Sequence, residues 1–92
     1  MSIVGDPQFE EVTITTDASG YFNHTFANHI DACMASVNQP QAGTNAGIVG
    51  ASVVVTGDKT VKVRCWEANG TSGVRTCQSE QVTVTLIGLT AA

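Results

Sequence analysis

The sequence predicts an all-β fold, a small antiparallel β-sandwich or flattened barrel of six to eight strands, and three observations carry that reading. Apolar and polar residues alternate with a period of two in several short runs, as in half-buried strands. Turn-forming Gly, Asp and Asn residues separate those runs at short intervals. The composition is poor in charge and in helix formers, with 13% charged residues and nine Gly, which suits strands with Thr- and Ser-rich outer faces. At 92 residues the chain makes one domain whose core is near the lower limit for folding alone. The expected division is an extended arm over residues 1–9 and a single β domain over residues 10–92.

Residues 1–9 have no period and include Gly5 and Pro7, which marks the arm as extended. Residues 10–16 alternate, with Val12 and Ile14 on one face, and form a half-buried strand. Asp17-Ala18-Ser19-Gly20 is a turn, because Asp bonds to its own backbone and Gly supplies positive φ. Residues 21–26 make a second strand with Phe22, His24 and Phe26 inward, expected to pair antiparallel with Val12 and Ile14. The alternation breaks over residues 27–31. It resumes over residues 32–38, where Cys33, Ala35 and Val37 face inward and small side chains allow close packing. Residues 39–46 carry no apolar side chain larger than Ala or Pro and form an exposed loop.

Residues 47–68 give the strongest local pattern. Two β-rich runs flank Gly57-Asp58, which predicts a hairpin closed by a two-residue type II′ turn with Gly57 at positive φ. In the second arm Val61, Val63 and Cys65 point one way, and Lys62, Arg64 and Trp66 point the other. In the first arm Val53, Val54 and Val55 put bulk on both faces, as in a central strand or one whose outer face meets another subunit. Residues 69–73 form a polar tip, and residues 74–79 a short edge strand or ordered loop. Residues 80–90 begin as an alternating strand through Val82, Val84 and Leu86 and then become apolar on both faces. A subunit contact at Ile87 and Leu89 keeps that second face out of water.

The formal charge of −4, with only Lys59, Lys62, Arg64 and Arg75 as cations, argues against nucleic acid as a partner. No run is long enough to span a membrane, and the amino-terminal residues do not form a signal peptide, so synthesis in a cytoplasm is expected. An odd count of three Cys predicts free thiols; Cys65 and Cys77, which flank a short loop, are the pair a bridge would join. His24 and His29, with Asp31 nearby, lack the spacing of a zinc motif and are expected to be hydrogen-bonded rather than metal ligands. Cys33 sits in an apolar strand with no neighbouring base, and Asp17, Asp31, Asp58, Glu67 and Glu80 lie mostly at turns and strand ends. No catalytic residue, metal or cofactor is expected, and the chain is read as a non-enzyme. Binding is assigned to Trp66, as a stacking platform or interface anchor, and to the loop residues Gln39, Gln41, Asn45 and Asn69. Val54, Ile87 and Leu89, with Ile3 and Phe9 of the arm, are assigned to an oligomer interface.

The order of elements carries a resemblance. Phe22-Asn23-His24-Thr25-Phe26 is a strand ending in an aromatic, and Ala32-Cys33-Met34-Ala35-Ser36-Val37 is the next core strand. Residues 52–56 and 60–65 make the hairpin, and Val82-Thr83-Val84-Thr85-Leu86-Ile87-Gly88-Leu89 closes the domain. This pattern, over residues 12–89, resembles a small β-sandwich module of bacteriophage tail fibres and virion decoration proteins. Many members carry a Pro before the third strand, where this chain has Ile30-Asp31. The resemblance implies a non-enzymatic virion structural protein of tail-fibre, receptor-binding type. It implies a homotrimer with other virion proteins as neighbours, a host-surface glycan or protein as partner, and no membrane insertion. The alternative it implies is a capsid decoration protein or head fibre that clamps capsid subunits through its arm.

Overall fold

The computed structural model describes residues 4–38, 48–68 and 73–91. Its strands are β1 (Gln8–Thr15), β2 (Tyr21–Thr25), β3 (Ala32–Val37), β4 (Ile48–Val55), β5 (Thr60–Ala68), β6 (Val74–Thr76) and β7 (Gln81–Leu89). They form two antiparallel sheets, as the alternation predicts. One has the order β1-β7-β3. In the other, β5 is central, with β4 along one edge and β2 and β6 end to end along the other. The chain crosses between sheets after β1, β2, β3 and β6.

The core lies between the sheets and is built on the two central strands. Val61, Val63 and Cys65 of β5 and Val82, Val84 and Leu86 of β7 are all fully buried. Phe22, Phe26, Ile30, Ile48 and Cys77 complete the cluster, and Val12, Ile14, Cys33, Ala35, Val37, Ala51, Val53 and Val55 pack around it. Each fully buried Val or Leu side chain contributes about 1.5–3 kcal/mol of transfer free energy, so these two strands are the principal source of stability. Val54 lies on an edge strand, 58% exposed. The bulk on both faces of β4 therefore does not mark a central strand.

Two local expectations are corrected. Gly57 does not take positive φ, and the hairpin loop is one residue longer than a type II′ turn. The Thr56 amide donates to the Thr60 carbonyl at 2.9 Å, leaving Gly57-Asp58-Lys59 as the loop. The apolar register explains this. A two-residue turn would set Val55 against Thr60 and Val53 against Lys62, whereas the observed loop sets Val55 against Val61 and Val53 against Val63. A slip of one residue turns every side chain to the other face, and burying the valines decides the loop length. A Cβ at Gly57 would sit 2.6 Å from Thr60 Oγ1, so any larger residue there must displace the Thr60 side chain. At the far end of β4 the ladder shifts between Ile48 and Gly50, a bulge that keeps Ile48 buried while Val49 faces water.

The second correction concerns β2, which pairs with β5 rather than with Val12 and Ile14 of β1. The turn at Asp17–Gly20 changes sheet instead of closing a hairpin. Asp17 Oδ1 accepts the amides of Ser19 at 2.8 Å and Tyr21 at 3.0 Å. Those backbone bonds, Tyr21's first, hold its carboxyl below the ordinary 3.8. Gly20, at φ +86°, is wedged against the second sheet: its carbonyl accepts the Cys65 amide, and a Cβ on it would lie 2.9 Å from the Cys65 carbonyl oxygen and 3.0 Å from that of Cys77. β1 pairs along its whole length with β7. The arm folds back on its own sheet, since β1 begins at Gln8 and the Val4 amide donates to the Thr90 carbonyl at 2.8 Å.

Gly20→Ala is expected to lower stability by at least about 2 kcal/mol, from left-handed backbone strain plus contact with fixed carbonyls. Among the described residues nothing would meet a Cβ at Gly50, and its φ is ordinary, so Gly50→Ala should stay within about 1 kcal/mol of the parent. Urea unfolding of the two variants side by side checks both.

Candidate functional site

The outer face of the second sheet carries the strongest constellation. Across β2, β5 and β4, Tyr21 stands opposite Arg64 and Arg64 opposite Ser52; one row on, Asn23, Lys62 and Val54 align, and Trp66 faces Gly50. Because side chains two apart share a face, Lys62, Arg64 and Trp66 project together. Lys62 Nζ lies 4.5 Å from the Tyr21 ring centroid, and Arg64 Cζ lies 4.6 Å from the same ring and 4.9 Å from the Trp66 ring. Arg64 Nε donates to the Ser19 carbonyl at 3.2 Å. The guanidinium is thus fixed by one hydrogen bond and two aromatic faces, contacts worth about 0.5–1 kcal/mol each at exposed sites. Tyr21, Ser52, Val53, Val54, Lys62, Arg64 and Trp66 line a shallow depression of about 250 Å³.

Trp66 is half-buried on the outer side of β5, with the Arg64 guanidinium over its ring. Of the other binding residues read from sequence, Gln39, Gln41, Asn45 and Asn69 lie outside the described residues, as does Ile3 of the interface set. The sequence alone does not single out Tyr21, because its place beside Arg64 depends on the pairing of β2 with β5. The alternation of Tyr21 with Phe22 was the signal available: it puts Tyr21 on the face opposite the core.

The remaining interface residues divide between the two outer faces. Val54 shares the Trp66 face. Phe9 and Ile87 stand in one row with Met34 across the other sheet, and Leu89 adjoins them beside Ala32. Phe9 is 67% and Met34 58% exposed, so this end of the β1-β7-β3 sheet carries an apolar stripe. Toward its other end the rows turn polar: Glu11, Thr85 and Ser36, then Thr13 and Thr83, whose hydroxyls lie 3.1 Å apart.

His29 is a clamp. Its Nδ1 lies 2.5 Å from Asp58 Oδ1 and its Nε2 2.9 Å from Asp31 Oδ1. Asp31 Oδ2 accepts the Ala91 amide at 2.8 Å, and Thr90 Oγ1 donates to the His29 carbonyl at 2.6 Å. The imidazole therefore ties the hairpin loop to the β2–β3 link, and the His29 carbonyl and Asp31 carboxylate hold Thr90 and Ala91 to the same link. Hydrogen bonds to Asp58 and then Asp31 raise its pKa above 6.5. Asp31 is held below 3.8, first by the Ala91 amide and then by His29. No group of His, Cys, Asp and Glu among the described residues forms a metal site. His24 stacks edge-on against Phe26 at 5.0 Å, with Nε2 3.9 Å from Glu10 Oε1.

Cys33, Cys65 and Cys77 are free thiols. Burial pushes Cys65 up to about 11 and Cys77 up to about 12, so neither is a ready nucleophile at neutral pH. The half-buried Cys33 is likewise raised by burial. At the β6 end, Arg75 Nε donates to the buried Glu67 Oε1 at 3.0 Å. Burial, then the neighbouring Glu67, raises the Glu80 carboxyl above 4.5.

Compared with protein-family models, curated proteins and solved structures, the chain gives no match. The functional reading therefore rests on the geometry of its own faces.

The His29 clamp gives a pH dependence with a definite sign. A folded-state pKa above 6.5 stabilises the fold below that value, and the stabilisation is lost as pH rises through the folded pKa. Asp31 works in the opposite direction: its contribution is present above 3.8 and lost as pH falls through its lowered pKa. Between pH 6 and 8, below the ordinary thiol pKa of 9.0, the melting temperature should fall with rising pH. His29→Gln should flatten that slope, as read by thermal melts in a pH series.

Proposed function

We propose that this protein is a non-enzymatic recognition module of an assembled particle, of the tail-fibre, receptor-binding type that its strand order resembles. The observation that carries the reading is the outward-facing cluster of Tyr21, Lys62, Arg64 and Trp66. Its side chains are held by one another and by the Ser19 carbonyl, and they are not needed by the core. Trp, Tyr and Arg are the residues enriched at recognition hot spots, Trp and Tyr because they bring large area at low entropic cost and Arg because its planar guanidinium stacks and offers several donors. Its partner is a glycan or protein on a host surface, and its location is the virion.

The apolar stripe of Phe9, Met34, Ile87 and Leu89 supports homo-oligomerisation, as a trimer in the tail-fibre reading. A small domain that leaves such a stripe in water gains stability when copies cover it. The same stripe supports the second reading, a capsid decoration protein, in which a capsid subunit covers it. In that reading the described part of the arm acts through its place in the sheet, since Val4 is bonded to Thr90.

Trp66→Ala should abolish attachment to host cells without changing the melting temperature by more than a few degrees; undiminished attachment overturns the recognition reading. Ile87→Lys should reduce the assembly to monomers in light scattering while the circular dichroism spectrum stays unchanged. If the parent is already monomeric at micromolar concentration, self-association through this stripe is refuted. Binding of the parent to capsids, blocked by Ile87→Lys, favours the decoration reading.

A further inference from the structure

The charges on the Trp66 face are unbalanced in a way that specifies a ligand. All eight acidic side chains lie among the described residues, and the chain is acidic as a whole, with a formal charge of −4. Arg75 is paired with Glu67, and His29 takes Asp31 and Asp58. Lys62 and Arg64 have no carboxylate within ion-pair distance among the described residues, although they stand two apart on one strand face and crowd one Tyr21 ring. The acid that senses Lys62 is Asp17, whose Oδ1 already accepts two backbone amides. Two like charges held on one face of an acidic protein cost free energy until an anion arrives between them.

The neighbouring surface defines what carries that anion. Arg64 uses Nε on Ser19, and its Nη groups have no hydrogen-bond partner among the described residues; the Trp66 Nε1 and the Ser52 hydroxyl are equally free of one. Beside Trp66, β4 presents Gly50, where an added Cβ would meet nothing within 4 Å, and then the short Ser52. Among the described residues, the surface at Gly50, in the row of Trp66, is therefore open. The depression of about 250 Å³ lies below the roughly 300–1,000 Å³ of sites for drug-sized ligands, the scale of a single ring lying flat. The lining of the depression, Trp66 and Tyr21 with Ser52, Val53, Val54, Lys62 and Arg64, and the Gly50 gap beside it give an aromatic wall, a hydroxyl and a two-cation head that suit a polar ring bearing one negative group.

We propose that this face binds an acidic saccharide, with the sugar ring against Trp66 over Gly50 and Ser52 and its carboxylate or sulfate between Lys62 and Arg64. This deepens the recognition reading given above and rests on it. The ligand class follows from charge complementarity with two cations that have no ion-pair partner among the described residues, and from the gap at Gly50.

Trp66 is the one Trp in the chain, so its fluorescence reports occupancy of this face directly. The probes are oligogalacturonate, oligosialic acid and a heparin hexasaccharide, each beside its methyl-esterified or desulfated counterpart, with an eight-residue oligothymidylate as a non-saccharide polyanion. At least one acidic saccharide should quench or shift Trp66 fluorescence and bind at least tenfold more tightly than its neutral counterpart. Arg64→Gln and Lys62→Gln should each weaken it about tenfold, and the affinity should fall with added salt. Gly50→Leu, which fills the gap and keeps every charge, should also abolish binding, whereas association through charge alone would survive it. The proposal is overturned if neutral counterparts bind equally, if only oligothymidylate binds, if Gly50→Leu binds normally, or if no probe binds. Loss of cell attachment in Trp66→Ala alongside failure of every acidic saccharide sinks the ligand class and leaves the recognition reading standing. Saccharide binding with undiminished attachment of Trp66→Ala does the reverse.

Discussion

The structure depends on one interlock: the inward faces of β5 and β7, where Val61, Val63 and Cys65 lie against Val82, Val84 and Leu86 with no exposure to water. A domain of this size has little else from which to draw stability. Every other strand takes its place by pairing with one of these two, β1 and β3 on β7, and β2, β4 and β6 on β5. Because the side-chain period of a strand is two, burying these residues fixes the opposite residues as outer faces. The Trp66 face and the Ile87 stripe are thus the reverse sides of the two strands that make the core.

That interlock also overrides local chemistry where the two conflict. Gly57-Asp58 favours a tight turn, yet the loop lengthens by a residue so that Val53 and Val55 meet Val63 and Val61. Val49 would point inward by simple alternation, and the bulge before Gly50 exchanges it for Ile48. The turn at residues 17–20 has the composition of a hairpin, but its Gly20 is pressed between the Cys65 and Cys77 carbonyls of the other sheet. In each case the long-range apolar match outweighs the preference of a few turn residues, because a misplaced valine costs more than a less favoured loop.

Much of the architecture was legible from alternation alone: the strand segments, the inward sets on β3, β5 and β7, and the outward placement of Lys62, Arg64 and Trp66. Partnership was not legible. Residues 10–16 and 21–26 are adjacent in sequence and of similar length, so nothing in their pattern says that they belong to different sheets. Tyr21 was missed for that reason, since it joins the site only through its row with Arg64. Met34 was missed likewise, as it enters the apolar stripe only when β3 lies beside β7. The His29 clamp was also hidden, because Asp58 is 29 positions away and meets the imidazole only once the hairpin loop folds under the β2–β3 link. Single-strand properties are written in the sequence at short range, while rows and clamps are properties of the assembled sheets.

The hydrogen bond from Val4 to Thr90 has a topological consequence. It brings the two ends of the described chain side by side at one pole of the sandwich, where the Asp31 carboxylate also holds Ala91. A short peptide joining them would close the chain into a ring without disturbing a ladder, and new ends could then be opened at another surface loop. The same proximity lets the unit be spliced into a loop of a larger protein, entering and leaving through a single narrow stem.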